Sequence, residues 1–223
     1  MCGRYTITVD AEGIAWRFGA ERPEFDFEPA YNAAPTQNLP VIIEANGQRR
    51  FLLMRWGLIP HWSKEMSIGN KLINARIETV DQKPAFKSSL LRRRCLIPAD
   101  GYYEWLKIDE RKQPVRIVSS QNDLFSFAGI WNEWIDSEGM TINSFSILTT
   151  TPVASITHIH HRMPLILSPD QEGDWLRGPR SVEPLVVKDF LDKLHPCPSL
   201  HFYPVSSLVN NPRVNSPSLI DPI

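Results

Sequence analysis

Short apolar runs bounded by turn residues recur along most of the chain, and in four places the spacing shifts to that of a helix. Between Val9 and Ala20, Ile14 and Phe18 stand four apart behind Asp10, the pattern of a short amphipathic helix with an aspartate cap. Further helices are expected at residues 81–91, 169–177 and 186–194, and in the last of these Val187, Phe190, Leu191 and Leu194 fall on one side. From Leu39 to Ile59 two apolar runs flank Asn46-Gly47, a pair that tolerates the positive φ angles of a type I′ turn, which predicts a β-hairpin. Strands are expected at 71–77, 95–99, 101–107, 114–119, 124–131, 142–150 and 162–167, while residues 21–39 read as irregular. No repeat, low-complexity tract or linker divides residues 1–223. The pattern is that of a single α+β domain, mainly antiparallel strands with a few short helices.

Composition sharpens this picture. Nineteen prolines against eleven glycines, spread along the chain, favour many short elements over long helices. Hydrophobic residues at 42% and charged residues at 22% are those of a chain able to bury a core. A net charge of −1 excludes a global positive field of the kind that binds duplex DNA indiscriminately, so any nucleic-acid site must be local. Cysteines at 2, 95 and 197 include no Cys-x-x-Cys pair, which argues against a disulfide framework and a cysteine zinc site and fits a reducing cytoplasm. There is neither a secretory N-terminus nor an apolar stretch of about 18 residues, so no membrane association is expected.

The chemistry concentrates at the N-terminus. Bacterial initiator methionine is removed ahead of a small residue, so the mature chain is expected to begin at Cys2, with an amine and a thiol on adjacent carbons. On the order of a tenth of an α-amine is neutral at pH 7, against less than about one part in a thousand of a lysine. Such an amine attacks an aldehyde to give an imine, and the neighbouring thiol then closes a five-membered thiazolidine ring. An internal cysteine cannot do this. Gly3 allows close approach of a ligand to the backbone, and Arg4 offers a fixed charge suited to a phosphate or carboxylate.

Six segments in order resemble the SRAP family, the SOS-response-associated peptidase fold of abasic-site-processing proteins. They are Met1-Cys2-Gly3-Arg4-Tyr5, Tyr31-Asn32-Ala33-Ala34-Pro35, the run from Trp56 to Trp62, Asn74-Ala75-Arg76-Ile77-Glu78-Thr79, the run from Arg94 to Trp105, and His160-His161-Arg162-Met163-Pro164-Leu165. The resemblance implies covalent trapping of abasic sites in single-stranded DNA through the N-terminal cysteine, with Cys2, Asn74, Glu104 and His160 as the active-site residues. No cofactor and no metal are expected. A monomer is expected, cytoplasmic, and nucleoid-associated when bound to DNA.

Each residue suits a role. Glu104, in Tyr102-Tyr103-Glu104-Trp105, is surrounded by aromatic bodies whose desolvation would raise its pKa and let it shuttle protons near neutrality. Asn74 offers an uncharged donor and acceptor to orient the cysteine amine or a sugar oxygen. His160 is suited to proton transfer in opening the sugar ring. The chain departs from the family pattern at His161, where an acidic residue is usual, and loss of that charge should make His160 less basic. Arg4, Arg76 and Arg162 are the phosphate-contact candidates, and Trp62 and Trp105 the stacking candidates. The run Arg92-Arg93-Arg94 reads instead as a solvated helix end.

Rival readings remain at this level. N-terminal-nucleophile amidotransferases also begin Met-Cys-Gly, a non-covalent reader of single-stranded or modified DNA would bind reversibly, and the family name suggests a peptidase using Cys2, Glu104 and His160. A lyase follows if β-elimination outruns ring closure. His158 and His160, two apart on an expected strand face, raise a zinc site that lacks obvious further ligands.

Overall fold

The computed structural model describes residues 2–120, 123–196 and 199–223. Met1, whose removal is expected above, and Cys197 lie outside the described residues. After the first strand, Tyr5–Ile7 (β1), helix Ala11–Phe18 (α1) starts where the sequence pattern puts it. The Asp10 carboxylate accepts from Gly13 N at 2.9 Å, and Gly19 ends the helix in the left-handed conformation at φ 57°.

Residues 21–39 are not irregular throughout, since they hold part of Ala20–Glu21 (β2), all of Ala30–Ala33 (β3) and the start of Asn38–Ala45 (β4). β3 is held by Tyr5 and Ile7, and β2 by a strand residues away that local patterning does not disclose. That strand is Gln48–Trp56 (β5), the second arm of the expected hairpin, whose turn residues Asn46 and Gly47 sit at φ 54° and 78°. The expected strand at 71–77 is shorter, Asn74–Arg76 (β6), because a 3₁₀ turn occupies Met66–Lys71.

Helix Pro84–Arg92 (α2) precedes a run of long strands, Arg94–Ala99 (β7), Gly101–Ile108 (β8), Arg111–Ser119 (β9), Phe125–Ile135 (β10) and Thr141–Thr150 (β11). The expected strand at 162–167 is split into Met163–Pro164 (β12) and Ile166–Leu167 (β13), which pair with different neighbours, β11 and β10. Leu165 bridges them, donating to Leu148 O and accepting from Ala128 N, each at 2.8 Å. Helices Pro169–Arg177 (α3) and Pro184–Asp192 (α4) and strand Leu200–Pro204 (β14) complete the order.

Two sheets result. The pairings β4–β5, β5–β11, β11–β10, β10–β7 and β7–β4 close five strands into a ring, all antiparallel except β5–β11. The second sheet runs β14-β9-β8-β1-β3. Tyr5 of β1 joins the two, its ring edge-on to Trp56 at 5.2 Å and to Phe127 at 5.7 Å, and all three rings are fully buried. The fold is thus the expected α+β domain dominated by antiparallel strands.

A buried carboxylate fixes β1 in place. Asp100 accepts from Thr6 Oγ1 at 2.5 Å and Arg116 Nη2 at 2.8 Å on one oxygen, and from Thr8 N at 2.5 Å and Thr8 Oγ1 at 2.6 Å on the other. The next residue must be glycine, for a Cβ on Gly101 would stand 2.7 Å from Arg116 Nε. This cluster anchors the strand that Cys2 leads into.

The basic run meets expectation at Arg92, exposed in the last turn of α2, and departs from it at Arg94. Arg94 is buried, donates to Leu90 O at 2.6 Å, Pro179 O at 3.1 Å and Gly178 O, and faces the rings of Trp175 and Phe190. Burial lowers its pKa to about 10. It is not a solvated helix end, because β7 begins at Arg94 and turns that side chain onto the carbonyls behind α3.

Candidate active site

Cys2 is wholly buried just ahead of β1, its thiol 3.8 Å from Arg4 O. Burial, reinforced by repulsion from Glu104, pushes the thiol well above its ordinary pKa, so the sulfur is protonated at neutral pH. Asn74 comes from β6, which lies parallel to β11 with Asn74 opposite Ile147. That register carries its side chain to Cys2, whose carbonyl accepts from Asn74 Nδ2 at 2.7 Å. Asn74 Oδ1 is buried and accepts no hydrogen bond among the described residues, leaving an acceptor beside Cys2.

Glu104 arrives from β8, which pairs with β1 so that Tyr5 faces Tyr102 and Tyr103 N donates to Arg4 O at 3.0 Å. Strand alternation puts Glu104 on the same face as Tyr102. Only 5% of Glu104 is exposed, and burial raises its pKa, opposed by the nearby His161. The shift has the direction foreseen and burial as its cause, but of the three aromatic neighbours only Tyr102 shares the face of Glu104, since Tyr103 and Trp105 pack with Val205, Val209 and Leu219 on the other.

His160 is half-buried, and its ring stacks on that of His161 at 4.3 Å. Its pKa is lowered, chiefly by burial, as the missing acidic neighbour led one to expect in direction but with a different main cause. His161 is lowered first by His160. The two rings face one another too closely for both to be charged at little cost. His160 Nδ1 accepts from Arg162 N at 3.0 Å and lies 3.1 Å from Arg162 O.

Residues 157–159 form a turn and His160 follows it outside any strand, so His158 and His160 do not share a strand face. His158 packs on Phe202 at 5.3 Å instead. Among the described residues no group of three or more His, Cys, Asp or Glu is arranged to hold a metal ion.

The phosphate and stacking candidates differ in availability. Arg76 is exposed at the end of β6. Arg162 is engaged, donating to both oxygens of Glu78 at 2.7 and 2.9 Å and to Thr149 O at 2.5 Å. Burial alone would raise the Glu78 pKa, but the hydrogen bonds and charge of Arg162 hold it below the ordinary value. Arg4 donates to Asn32 Oδ1 and Val209 O, both at 2.7 Å, and to Asn210 O at 3.3 Å, and burial lowers its pKa. Trp62 is 53% exposed, whereas Trp105 is half-buried with its Nε1 donating to Asn210 Oδ1 at 2.7 Å.

Sequence reasoning missed Asn32, which holds Arg4 and also donates to Asn211 O at 3.0 Å and Val214 O at 2.9 Å. It missed Glu78 as well. Both stand inside quoted motifs, so position alone could have flagged them, but their partners lie far along the chain or on another element.

The chain matches the model of the family described as SOS response associated peptidase (SRAP) over residues 1–212. It is 41% identical over 224 residues to "Abasic site processing protein YoqW" of Bacillus subtilis (strain 168), covering 99% of both chains. It is 30% identical over 261 residues to "Abasic site processing protein HMCES" of Xenopus tropicalis, covering 97% of this chain and 77% of that one. A crystal structure of a protein from Bacteroides thetaiotaomicron superposes with a TM-score of 0.85 at 26% identity over 100% of both chains. With six motifs in order, the shared fold and a family match along almost its whole length, the chain belongs to the SRAP family.

Proposed function

We propose that this protein captures abasic sites in single-stranded DNA by joining the ring-opened sugar to Cys2 once Met1 is removed. The observation that carries this reading is the convergence of Asn74 and Glu104 on Cys2, with the stacked His160 and His161 beside them. The names of the relatives, abasic site processing proteins at 41% and 30% identity, supply the substrate class.

The freed α-amine attacks the C1′ aldehyde to form a carbinolamine, which loses water to give an imine. The sulfur then bonds to the imine carbon and its proton passes to the nitrogen, closing a thiazolidine. One water is lost in total, and no oxidant or reductant is consumed. Asn74 holds the Cys2 backbone through Nδ2 and offers Oδ1 to the new amine. Glu104, kept protonated over a wider pH range by burial, delivers the proton that the leaving hydroxyl needs and accepts the one the attacking amine gives up. His160 donates to the sugar oxygen as the ring opens.

Arg76 meets a phosphate and Trp62 stacks on a base, with Trp105, Arg4 and Arg162 lining the approach, and the protein acts as a monomer. Phosphate contacts of this kind set register without reading sequence, which suits a lesion that has no base to read.

The test is to mix Met1-processed protein with single-stranded DNA carrying one abasic site and to run a denaturing gel. A shifted band that vanishes in Cys2→Ala supports capture. Cut strands without a shifted band point to a lyase, and reversible binding alone to a non-covalent reader.

A further inference from the structure

We infer that Glu78 is a positioning residue for His160, acting through Arg162 to fix which ring nitrogen carries the proton. This rests on the reading above, in which His160 serves the sugar.

Glu78 grips the Arg162 guanidinium with both oxygens, at 2.7 and 2.9 Å, and Thr149 O holds the same group from the opposite element at 2.5 Å. A guanidinium fixed at both ends fixes the residue that bears it. The Arg162 backbone N–H thereby points at His160 Nδ1, 3.0 Å away. A ring nitrogen that accepts a hydrogen bond carries no proton, so neutral His160 holds its hydrogen on Nε2. Nε2 is then the atom from which neutral His160 delivers its proton to a sugar oxygen. The Arg162 carbonyl, 3.1 Å from the same Nδ1, becomes an acceptor only when the ring gains a second proton. One residue thus serves both protonation states of the ring through its two backbone groups.

The bidentate pair has a second consequence. The Arg162 charge is already neutralised by Glu78, so loosening Glu78 does not weaken DNA binding and frees a cation for phosphate. Rate and affinity are therefore expected to part company. The charged and titratable groups around His160 are His161 stacked on it, Arg162 and Glu78 behind it, Arg76 beside His161, and Glu104 across from His161.

The test combines kinetics with a direct view of the ring. In Glu78→Ala, the crosslinking rate at saturating abasic-site DNA is expected to fall about 10-fold, part of the roughly 10²–10⁴-fold that a positioned acid contributes, with DNA affinity equal or higher. Glu78→Gln, which keeps one acceptor for the guanidinium, is expected to recover part of the rate. Long-range ¹H–¹⁵N spectra of the neutral ring should show the Nε2–H tautomer in the unaltered protein and a mixture in Glu78→Ala. An Nδ1–H ring in the unaltered protein, or an unchanged tautomer and rate in Glu78→Ala, overturns the inference. If the unaltered protein forms no crosslink, the reading of function has failed, and the spectra still decide the positioning claim. A fall in affinity matching the fall in rate overturns it too, since that is what simple loss of structure produces.

Discussion

The side-chain amide of Asn74 donates to the backbone carbonyl of Cys2 at 2.7 Å, across 72 residues of sequence. The bond ties the end of the chain to β6 and so to β11 of the strand ring. A chain terminus ordinarily frays, and a reactive one must not. Asn74 supplies the tether, and its free Oδ1 supplies the acceptor. Asn74→Ala is expected to slow crosslinking more than about 10-fold, whereas Asn74→Asp, which keeps an acceptor but loses the donor, should lie between the two in single-turnover assays.

Glu104 gives a test in which stability and activity move oppositely. Its folded-state pKa is raised by burial, so the native state holds the proton more tightly than the unfolded chain. Below the ordinary carboxylate value the group is neutral in both states. As pH rises through that value toward the folded one, the unfolded state ionises first and stability falls. Glu104→Gln removes this penalty. Its Tm should exceed that of the unaltered protein at pH 8, and the gap should close below about pH 4, where the carboxyl is neutral in both states. Crosslinking should be lost across the range.

Asp100 tests the scaffold alone. Removing its carboxylate leaves buried Arg116 unpaired and strips Thr6 and Thr8 of an acceptor. Asp100→Ala is expected to cost about 3–5 kcal/mol in urea unfolding, the range for breaking a buried pair. Any activity loss should track the unfolded fraction.

Arg76 and Trp62 separate charge from stacking. Arg76→Ala should weaken binding to every single-stranded sequence alike and reduce the salt slope by about 0.7, the value for one phosphate contact on a single strand. Trp62→Ala should cost about 1–3 kcal/mol of affinity with an unchanged salt slope. Fluorescence titration at several salt concentrations reads both.

The sequence pattern located most elements because their signals are local. Asp10 caps α1, Asn46-Gly47 turns the β4–β5 hairpin, and Pro169–Arg177 matches the expected helix at both ends. β3 and β14 escaped notice because each depends on a partner distant in sequence. The candidate site was legible as a set of residue types in motifs, with Cys2, Asn74 and Glu104 brought together by β1, β6 and β8. What the pattern could not carry was competition for the same groups. Arg162 reads as a free cation until Glu78 is seen gripping it, and Arg94 as a solvated one until it is found against the carbonyls of Gly178 and Pro179. No periodicity records which carbonyl an arginine will meet.

The central claim rests on the atoms joined at Cys2, and intact mass of the denatured adduct reads them directly. Protein beginning at Cys2, mixed with single-stranded DNA bearing one abasic site, is expected to give a species equal to the sum of the two less one water, stable without borohydride and absent from Cys2→Ala and from chains retaining Met1. An adduct that survives only after borohydride reduction, or that persists when Met1 is retained, would contradict thiazolidine formation at the N-terminal cysteine.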